Sequence, residues 1–149
     1  MDKSKHFYTH KISYYETDGM GVTHHSNYIR FMEEARVNYL DQIGYSYKKM
    51  LEEGVISPVI AVHCDFKSPT RFADEILIEV SLKEYSGVKF IFEYHMTNKQ
   101  TGAVVLIGQT EHCFTNEKGR PIIIKKKFPE MHEFFSKLIV KWKYFIYIK

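Results

Sequence analysis

The feature that most constrains the fold is a run of apolar residues at helical spacing between positions 27 and 43. The apolar side chains recur every three or four residues, which places them in one stripe along an α-helix. These positions are Tyr28, Phe31, Met32, Ala35, Tyr39 and Ile43. Ser26 and Asn27 are both suitable N-cap residues, and Gly44 suits the left-handed position that ends a helix. We therefore predict one long helix, with its apolar face buried against the rest of the chain.

Most of the remaining chain has the sequence pattern of β-strands. Alternating or β-branched apolar runs predict strands over residues 7–15, 55–67, 76–83, 88–96 and 103–115. A short helical turn is expected over residues 45–54, and a short edge strand over residues 120–124. The order is strand, helix, then four strands joined largely by tight turns, which predicts an α+β fold. In this fold one antiparallel sheet of about five strands packs on the long helix.

Composition narrows the class of protein. The chain has 149 residues, 44% of them apolar, which suits one domain with a packed core. A net charge of +3 is too small to indicate nucleic-acid binding. The two cysteines, Cys64 and Cys113, lack the spacing of a metal or redox motif, so we expect free thiols in a reducing cytoplasm. No signal-peptide core and no run of about 20 apolar residues is present, so a cytoplasmic protein without a membrane span is expected.

The chain ends in a segment that mixes aromatic, aliphatic and lysine residues. We place the main domain at residues 1–130 and this basic aromatic tail at residues 131–149. Its apolar residues have roughly helical spacing and are Met131, Phe134, Phe135, Leu138, Trp142 and Phe145. A terminal helix docked on the domain is the first interpretation. A basic amphipathic helix that contacts a membrane surface and an unstructured end are the alternatives.

A polar loop leads directly into the long helix, and it carries one acid between small residues. Asp18 lies between Thr17 and Gly19, eight residues before Ser26. Such an aspartate commonly satisfies nearby backbone N–H groups in an Asx-turn. Alternatively, it is a nucleophile or general base beside an electrophile held at the helix N-terminus, where outward N–H groups favour negative charge. The position of Asp18 leaves both interpretations open.

The adjacent histidines of the loop do not indicate a metal site. His24 and His25 have no third ligand at a recognised spacing, and two neighbouring residues of an extended segment point in different directions. We therefore expect no metal and no cofactor. Glu33 and Glu34 are interpreted as a solvated helix face favoured by the helix dipole, with Arg30 available to pair with Glu34.

Two longer motifs connect this chain with a known family. The segment YYETDGMGVTHHSNYIRFMEEAR, residues 14–36, resembles the signature of hot-dog fold acyl-CoA thioesterases of the 4-hydroxybenzoyl-CoA thioesterase type. It looks closest to the branch of the Tol–Pal-associated acyl-CoA thioesterases. The segment VHCDFKSPTRFADEILIEV, residues 62–80, resembles the second and third strands of that family with the turn between them. Shorter matches follow at residues 92–94 and 119–121, so the resemblance covers residues 7–127.

The resemblance implies a fold, an assembly and a reaction. Family members wrap an antiparallel sheet around a central helix and form dimers, often paired into tetramers, with active sites between subunits. Asp18 matches the catalytic aspartate, and His25 matches the position whose backbone N–H contacts the thioester carbonyl. His24 and Asn27 match neighbours that line this end of the helix. The implied reaction is hydrolysis of an acyl-CoA substrate by a cytoplasmic homo-oligomer without a cofactor, with Asp18 as nucleophile or general base.

One departure from the family concerns the CoA phosphates. Related enzymes carry basic residues after the third strand, where this chain has Ser86, Gly87 and Val88. Lys89 and Arg71, with Lys67 as a further candidate, are the substitutes we predict for substrate binding, although solvated strand-end charges are the simpler interpretation. The departure argues against an aromatic acyl group and favours an aliphatic or an unknown one.

Two alternative functions remain at this point. A hot-dog dehydratase or hydratase would pair a histidine with a helix carboxylate, for which His25 with Glu33 or Glu34 are the candidates. A non-catalytic acyl-ligand binding protein, or a membrane-docked accessory protein, would use the basic tail.

Overall fold

The computed structural model describes the backbone of residues 4–147 and the side chains of residues 4–139. Its sheet contains β1 (Lys5–Lys11), β2 (Val59–Phe66), β3 (Glu75–Tyr85), β4 (Lys89–Asn98) and β5 (Val104–Cys113). The spatial order is β1-β3-β4-β5-β2, and every neighbouring pair is antiparallel. The helices are α1 (Asn27–Ile43), α2 (Tyr47–Glu52), α3 (Ile124–Lys127) and α4 (Pro129–Tyr147). The predicted α+β class, the five-stranded sheet and the bounds of α1 are confirmed.

Helix α1 lies along one face of the sheet and buries the stripe that its sequence predicts. Its buried side chains are Tyr28, Phe31, Met32, Ala35, Arg36, Tyr39, Leu40 and Ile43. They pack against alternate residues of the central strands, which are Ile76, Ile78, Val80 and Leu82 of β3 and Phe90, Phe92, Tyr94 and Met96 of β4. Gly108 of β5 permits the close approach, because a Cβ there would lie 2.7 Å from the Met32 Cε and 2.8 Å from the His63 backbone oxygen. The N-terminal end of α1 is thereby set beside the turn that follows β2.

Two predicted elements differ from the structure. The first strand ends at Lys11, because residues Tyr14–Glu16 form a 3-10 turn closed by the Ser13 N–H, which donates to a Glu16 carboxylate oxygen at 2.8 Å. Residues 120–124 make only a single β-bridge, between Thr115 and Pro121, and Ile124 begins α3 instead. The predicted edge strand is therefore wrong. The short helix predicted over residues 45–54 is confirmed as α2.

The first half of α4 closes the core beyond the end of α1. Met131, Phe135 and Leu138 are buried in the same cluster as the sheet and α1 side chains. The ring of Phe135 lies 5.7 Å from that of Tyr45, centroid to centroid. Two residues of the predicted apolar stripe, Trp142 and Phe145, lie outside the residues whose side chains are described. Within residues 4–147, no helix is long and apolar enough to cross a membrane.

Candidate functional site

The residues before α1 form a tight loop held by its own backbone. An isolated β-bridge joins its two ends. The Asp18 N–H donates to the Val22 oxygen at 2.8 Å, and the Gly21 N–H donates to the Asp18 oxygen at 3.0 Å. Gly21 has a φ of +75°, which residues with side chains rarely adopt. The backbone of the loop therefore determines where Asp18 is presented.

The base of the loop is joined to the start of α1 through one carbonyl. The Glu16 oxygen accepts hydrogen bonds from the His24 N–H at 2.9 Å and from the Asn27 side-chain amide at 2.8 Å. Asn27, a predicted substrate-binding residue, thus uses one of its amide hydrogens to hold the loop. The two ends of the loop and the first helical residue meet at this point.

A cavity of about 320 Å³ opens between the loop, the first turn of α1 and the turn after β2. Its walls are formed by Asp18, Met20, Val22, Thr23, His25, Tyr28 and residues 66–69. Asp18 and His25, the two predicted catalytic residues, are therefore brought together. A concave site of this size with few polar groups is typical of small-molecule sites.

The two carboxylate oxygens of Asp18 have different surroundings. One carboxylate oxygen accepts a hydrogen bond from the Met20 N–H at 2.8 Å, which is an Asx-turn. Among the described residues, the other oxygen has no hydrogen-bond partner. The turn fixes the carboxylate beside the cavity while leaving one oxygen available to a ligand or to water.

The backbone at His25 offers a donor on the same cavity. Its carbonyl accepts the Tyr28 N–H at 3.3 Å, as expected in the first turn of a helix. Within the described part of the chain, its own N–H has no acceptor, which is usual for the first N–H groups of a helix. A carbonyl oxygen placed there would meet an unpaired N–H group at the positive end of the helix dipole.

The two imidazole rings have different surroundings. The His24 Nδ1 lies 2.8 Å from the Ser26 hydroxyl, and His24 is not among the residues that line the cavity. The His25 ring lies edge-to-face with Phe66 at 6.5 Å, on the cavity wall. In residues 4–139, no group of three or more histidine, cysteine or acidic side chains could hold a metal.

Comparison with known proteins identifies the family of this chain. A family model described as the thioesterase-like superfamily matches residues 12–139. The chain belongs to the thioesterase-like superfamily.

This thioesterase-like protein is also similar to individual proteins and solved structures. YneP of Bacillus subtilis, provisionally named an acyl-CoA thioesterase, is 29% identical over 127 residues, covering 85% of this chain and 92% of YneP. The structure of a DHNA-CoA thioesterase from Staphylococcus aureus is 30% identical with a TM-score of 0.85 and covers 90% of both chains. The structure of the gentisyl-coenzyme A thioesterase BH1999 is 26% identical with a TM-score of 0.73, covering 78% of this chain and 94% of that one. The predicted hot-dog fold and the prediction of a thioesterase enzyme are confirmed at the level of the family.

The predicted basic residues of the thioesterase-like chain lie in two places. An Arg71 side-chain N–H donates to the Gly21 oxygen at 3.4 Å, so Arg71 lies at the rim of the loop. Lys67 lines the cavity itself. Lys89 is ion-paired with Glu111 at 2.9 Å and lines a separate groove. Within one chain, Lys89 is not brought together with Asp18.

The acids of the alternative hydratase mechanism do not reach the cavity. Glu33 and Glu34 line a different groove on α1, and the Glu34 carboxylate accepts the Tyr8 hydroxyl at 3.1 Å. No observation therefore pairs either acid with His25.

A buried cluster of hydroxyl groups lies beneath the cavity and was not predicted from the sequence. The Thr70 hydroxyl lies 2.8 Å from the Tyr28 hydroxyl and 2.7 Å from the Thr23 hydroxyl. The Thr23 N–H also donates to the Thr70 oxygen at 2.8 Å. The cluster joins the loop, the first turn of α1 and the turn after β2, which are the three walls of the cavity. Its sequence signal is slight, because Thr70 lies in a turn 42 positions from Tyr28 and 47 positions from Thr23.

Proposed function

We propose that this protein hydrolyses acyl-CoA thioesters to a free acid and CoA. The observation that carries the proposal is one cavity lined by both the Asp18 carboxylate and the first turn of α1, where the His25 N–H is unpaired among the described residues. The relatives named as acyl-CoA, DHNA-CoA and gentisyl-coenzyme A thioesterases support a CoA ester as the substrate.

The proposed chemistry begins with the thioester carbonyl at the start of α1. The His25 N–H donates to the carbonyl oxygen and stabilises the negative charge that develops there, an effect worth about 3–4 kcal/mol per donor in a measured oxyanion hole. In the general-base route, Asp18 accepts a proton from water, the resulting hydroxide adds to the carbonyl carbon, and the C–S bond breaks to release the CoA thiolate. In the nucleophilic route, Asp18 adds to the carbon, the thiolate leaves, and water hydrolyses the mixed anhydride.

The basic residues at the rim are proposed to hold the CoA phosphates. Arg71 is exposed and next to the loop, and Lys67 lies on the cavity wall, so both suit a ligand that extends outward from Asp18. His24 and Asn27 border the same end of the helix. Lys89 belongs to the proposed binding set only if CoA reaches across a subunit boundary, since it lies in another groove of its own chain.

A homo-oligomer, either a dimer or a tetramer, is proposed as the working assembly. β2 lies at one edge of the sheet and exposes Val59, Ile60, Val62 and Phe66 by 40–54% each. An exposed apolar edge strand is a common site for pairing with a second chain. Free thiols at Cys64 and Cys113 support the proposed cytoplasmic location. Light scattering after size-exclusion chromatography measures the assembly directly, and a monomer would contradict the proposal.

The deciding experiment measures thiol release from short, medium, long and aromatic acyl-CoAs. Wild type is compared with Asp18→Asn and with Asp41→Asn, a control that removes an acid from the far half of α1. We expect Asp18→Asn to lower turnover by about 10²- to 10⁴-fold, as for loss of a catalytic base, and Asp41→Asn to leave it unchanged. A preference for aliphatic acyl groups would support the expectation drawn from the missing basic residues at positions 86–88. A preference for aromatic acyl groups would match the DHNA-CoA and gentisyl-coenzyme A relatives.

Three outcomes would contradict the proposal. Asp18→Asn could retain most of the wild-type turnover, which would remove Asp18 from the reaction. An enoyl-CoA could lose its ultraviolet absorbance without releasing thiol, which would indicate a hydratase. No thiol release from any acyl-CoA would exclude CoA esters as the substrate.

A further inference from the structure

His10 of β1 is held between two carboxylates beneath the loop. Its Nε2 lies 2.9 Å from a Glu16 carboxylate oxygen, and its Nδ1 lies 2.8 Å from a Glu34 carboxylate oxygen. Its ring stacks on Phe31 with 3.9 Å between centroids, and its side chain is only 12% exposed. When the ring carries both protons, each nitrogen donates to one acid. The His10 ring thereby links three elements: β1, the loop and α1.

Glu16 is the point where this link meets the loop. It is 5% exposed, and the carboxylate oxygen that faces His10 also accepts the Ser13 N–H at 2.8 Å. The backbone oxygen of the same residue accepts the His24 N–H and the Asn27 amide, as described above. Glu16 therefore holds the beginning of the loop through its side chain and the end of the loop through its backbone.

The other partner of His10 is fixed on the helix. Glu34 lies two turns into α1, and the same carboxylate oxygen that contacts His10 accepts the Tyr8 hydroxyl. A second path from α1 to the loop, besides the Asn27 side-chain amide, thus runs through Glu34, His10 and Glu16. None of these three residues lines the cavity.

We propose that His10 is a positioning residue, which acts through Glu16 to fix the Asp18 loop against α1. The inference rests on the proposed function, because it explains how the Asp18 carboxylate and the His25 N–H keep one alignment. A displacement of about 1 Å in such an alignment can lower a rate by about a hundredfold. Among the described residues, His10 is the only side chain that hydrogen-bonds to both Glu16 and Glu34, and its loss removes this link.

The chain supplies a matched control on the same strand. His6 is also on β1 and faces α1, where its Nε2 contacts the Asn38 side chain and its ring stacks near Tyr39 at 5.8 Å. Among the described residues, His6 has no contact with the loop. His6→Ala therefore removes a similar contact between β1 and α1 and leaves Glu16 in place.

The test compares kcat, KM and thermal midpoint for wild type, His10→Ala and His6→Ala. For His10→Ala we expect kcat to fall about 10- to 100-fold with KM within about threefold, the pattern of a lost transition-state alignment. For His6→Ala we expect kcat within about twofold of wild type, whatever its thermal midpoint. Glu16→Gln keeps an oxygen that accepts from both Ser13 and His10, so its kcat should exceed that of Glu16→Ala by about tenfold.

Amide hydrogen exchange over residues 16–24 gives a readout that needs no substrate. The Asp18, Gly21 and His24 N–H groups are hydrogen-bonded within the loop or at its base. His10→Ala should raise their exchange rates at least about tenfold, and His6→Ala should not. Equal effects of the two histidine variants on kcat and on loop exchange, or no effect of His10→Ala on either, would overturn the inference. Wild type could hydrolyse no thioester while His10→Ala, but not His6→Ala, raises the exchange rates of the loop. In that case the proposed function fails, and the positioning of the loop by His10 stands.

Discussion

The two ends of α1 are surrounded by different chemistry. At the N-terminal end, Asp18 is half-buried, His25 is exposed, and hydrogen bonds hold the backbone. At the C-terminal end, Tyr39 and Leu40 are fully buried, and Met131, Phe135 and Leu138 of α4 belong to the same buried cluster. The hydrogen-bonded end is therefore suited to binding and reaction, and the packed end to stability.

This difference separates activity from folding within one helix. Sites that bind ligands are commonly drawn from the less stable parts of a structure, because they must stay accessible. Substitutions at the open end should change turnover with little loss of stability. Substitutions at the packed end should lower the free energy of unfolding and leave the turnover of the folded fraction unchanged.

The largest expected effect on stability is that of Phe135→Ala at the packed end. Phe135 is 1% exposed, and its ring lies within 6.1 Å of those of Tyr85 and Phe90. Removing a buried phenylalanine leaves a cavity and costs about 3–5 kcal/mol. Urea unfolding measures the loss, and thiol release by the folded fraction should be unchanged. Phe134→Ala is the neighbouring control, with a smaller loss because Phe134 is only partly buried. A tenfold fall in turnover of folded Phe135→Ala would contradict the separation of the two ends.

The second effect depends on pH and involves His112, which stacks on Phe90 at the packed end. Burial, together with the charge of Arg36, lowers the pKa of His112 from 6.5 to about 4. Between these two values the unfolded chain binds a proton that the folded chain does not, so the free energy of unfolding falls as the pH falls. The full loss is about 3 kcal/mol at 1.36 kcal/mol per pH unit, and none of it is present above pH 6.5.

Urea unfolding between pH 4 and pH 7 tests this dependence. His112→Gln should flatten the curve over this range, because the replacement does not titrate. His63→Gln is the matched control, since the His63 side chain is 63% exposed and should leave the curve unchanged. Parallel curves for wild type and His112→Gln would exclude His112 as the source.

Local sequence signals predicted α1 and its loop well. The helix begins at Asn27 and ends at Ile43, as predicted. Its bounds were predictable because the apolar stripe and Gly44, which has a φ of +92°, are both signals within a short stretch of sequence. Asp18 and His25 were predicted as site residues from a motif that is continuous in sequence, and both line one cavity. β1 ends four residues earlier than its alternating pattern predicts, because the backbone turns where the Ser13 N–H donates to the Glu16 carboxylate.

Contacts between residues far apart in sequence could not be predicted. His10 and Glu34 are 24 positions apart, and Tyr28 and Thr70 are 42 apart, so only the folded chain brings them together. The burial of Phe135 likewise depends on where α4 docks, which its helical spacing does not specify. The sequence therefore indicated Asp18 and His25 as candidate site residues, but not the side chains that hold the loop and the helix around them.

A third prediction compares a glycine packed between the sheet and α1 with a glycine of the open loop. Gly108→Ala should lower the free energy of unfolding by about 1–3 kcal/mol, since its Cβ would lie 2.8 Å from the His63 backbone oxygen on the neighbouring strand. The clash with Met32 is relieved by a side-chain movement, but the clash with β2 is not. Gly19→Ala, in the open loop, should leave stability unchanged because no atom outside its immediate neighbours lies within 4 Å of its added Cβ. Thermal unfolding of both variants measures the contrast, and equal losses would contradict it.

The smallest effect is expected for Tyr28→Phe, which removes one hydroxyl from the cluster beneath the cavity. The Thr70 hydroxyl keeps its contact with Thr23, so no described group of the cluster loses its last partner, and the cost should be about 1 kcal/mol. Thr70→Val should cost more, because it leaves the buried Tyr28 hydroxyl without this partner. Urea unfolding ranks the two variants, and the reverse order would show that the cluster does not depend on Thr70. If Tyr28→Phe also lowers kcat, the Tyr28 hydroxyl contributes to catalysis as well as to the wall of the cavity. The part of α1 that affects activity then includes the first turn of the helix.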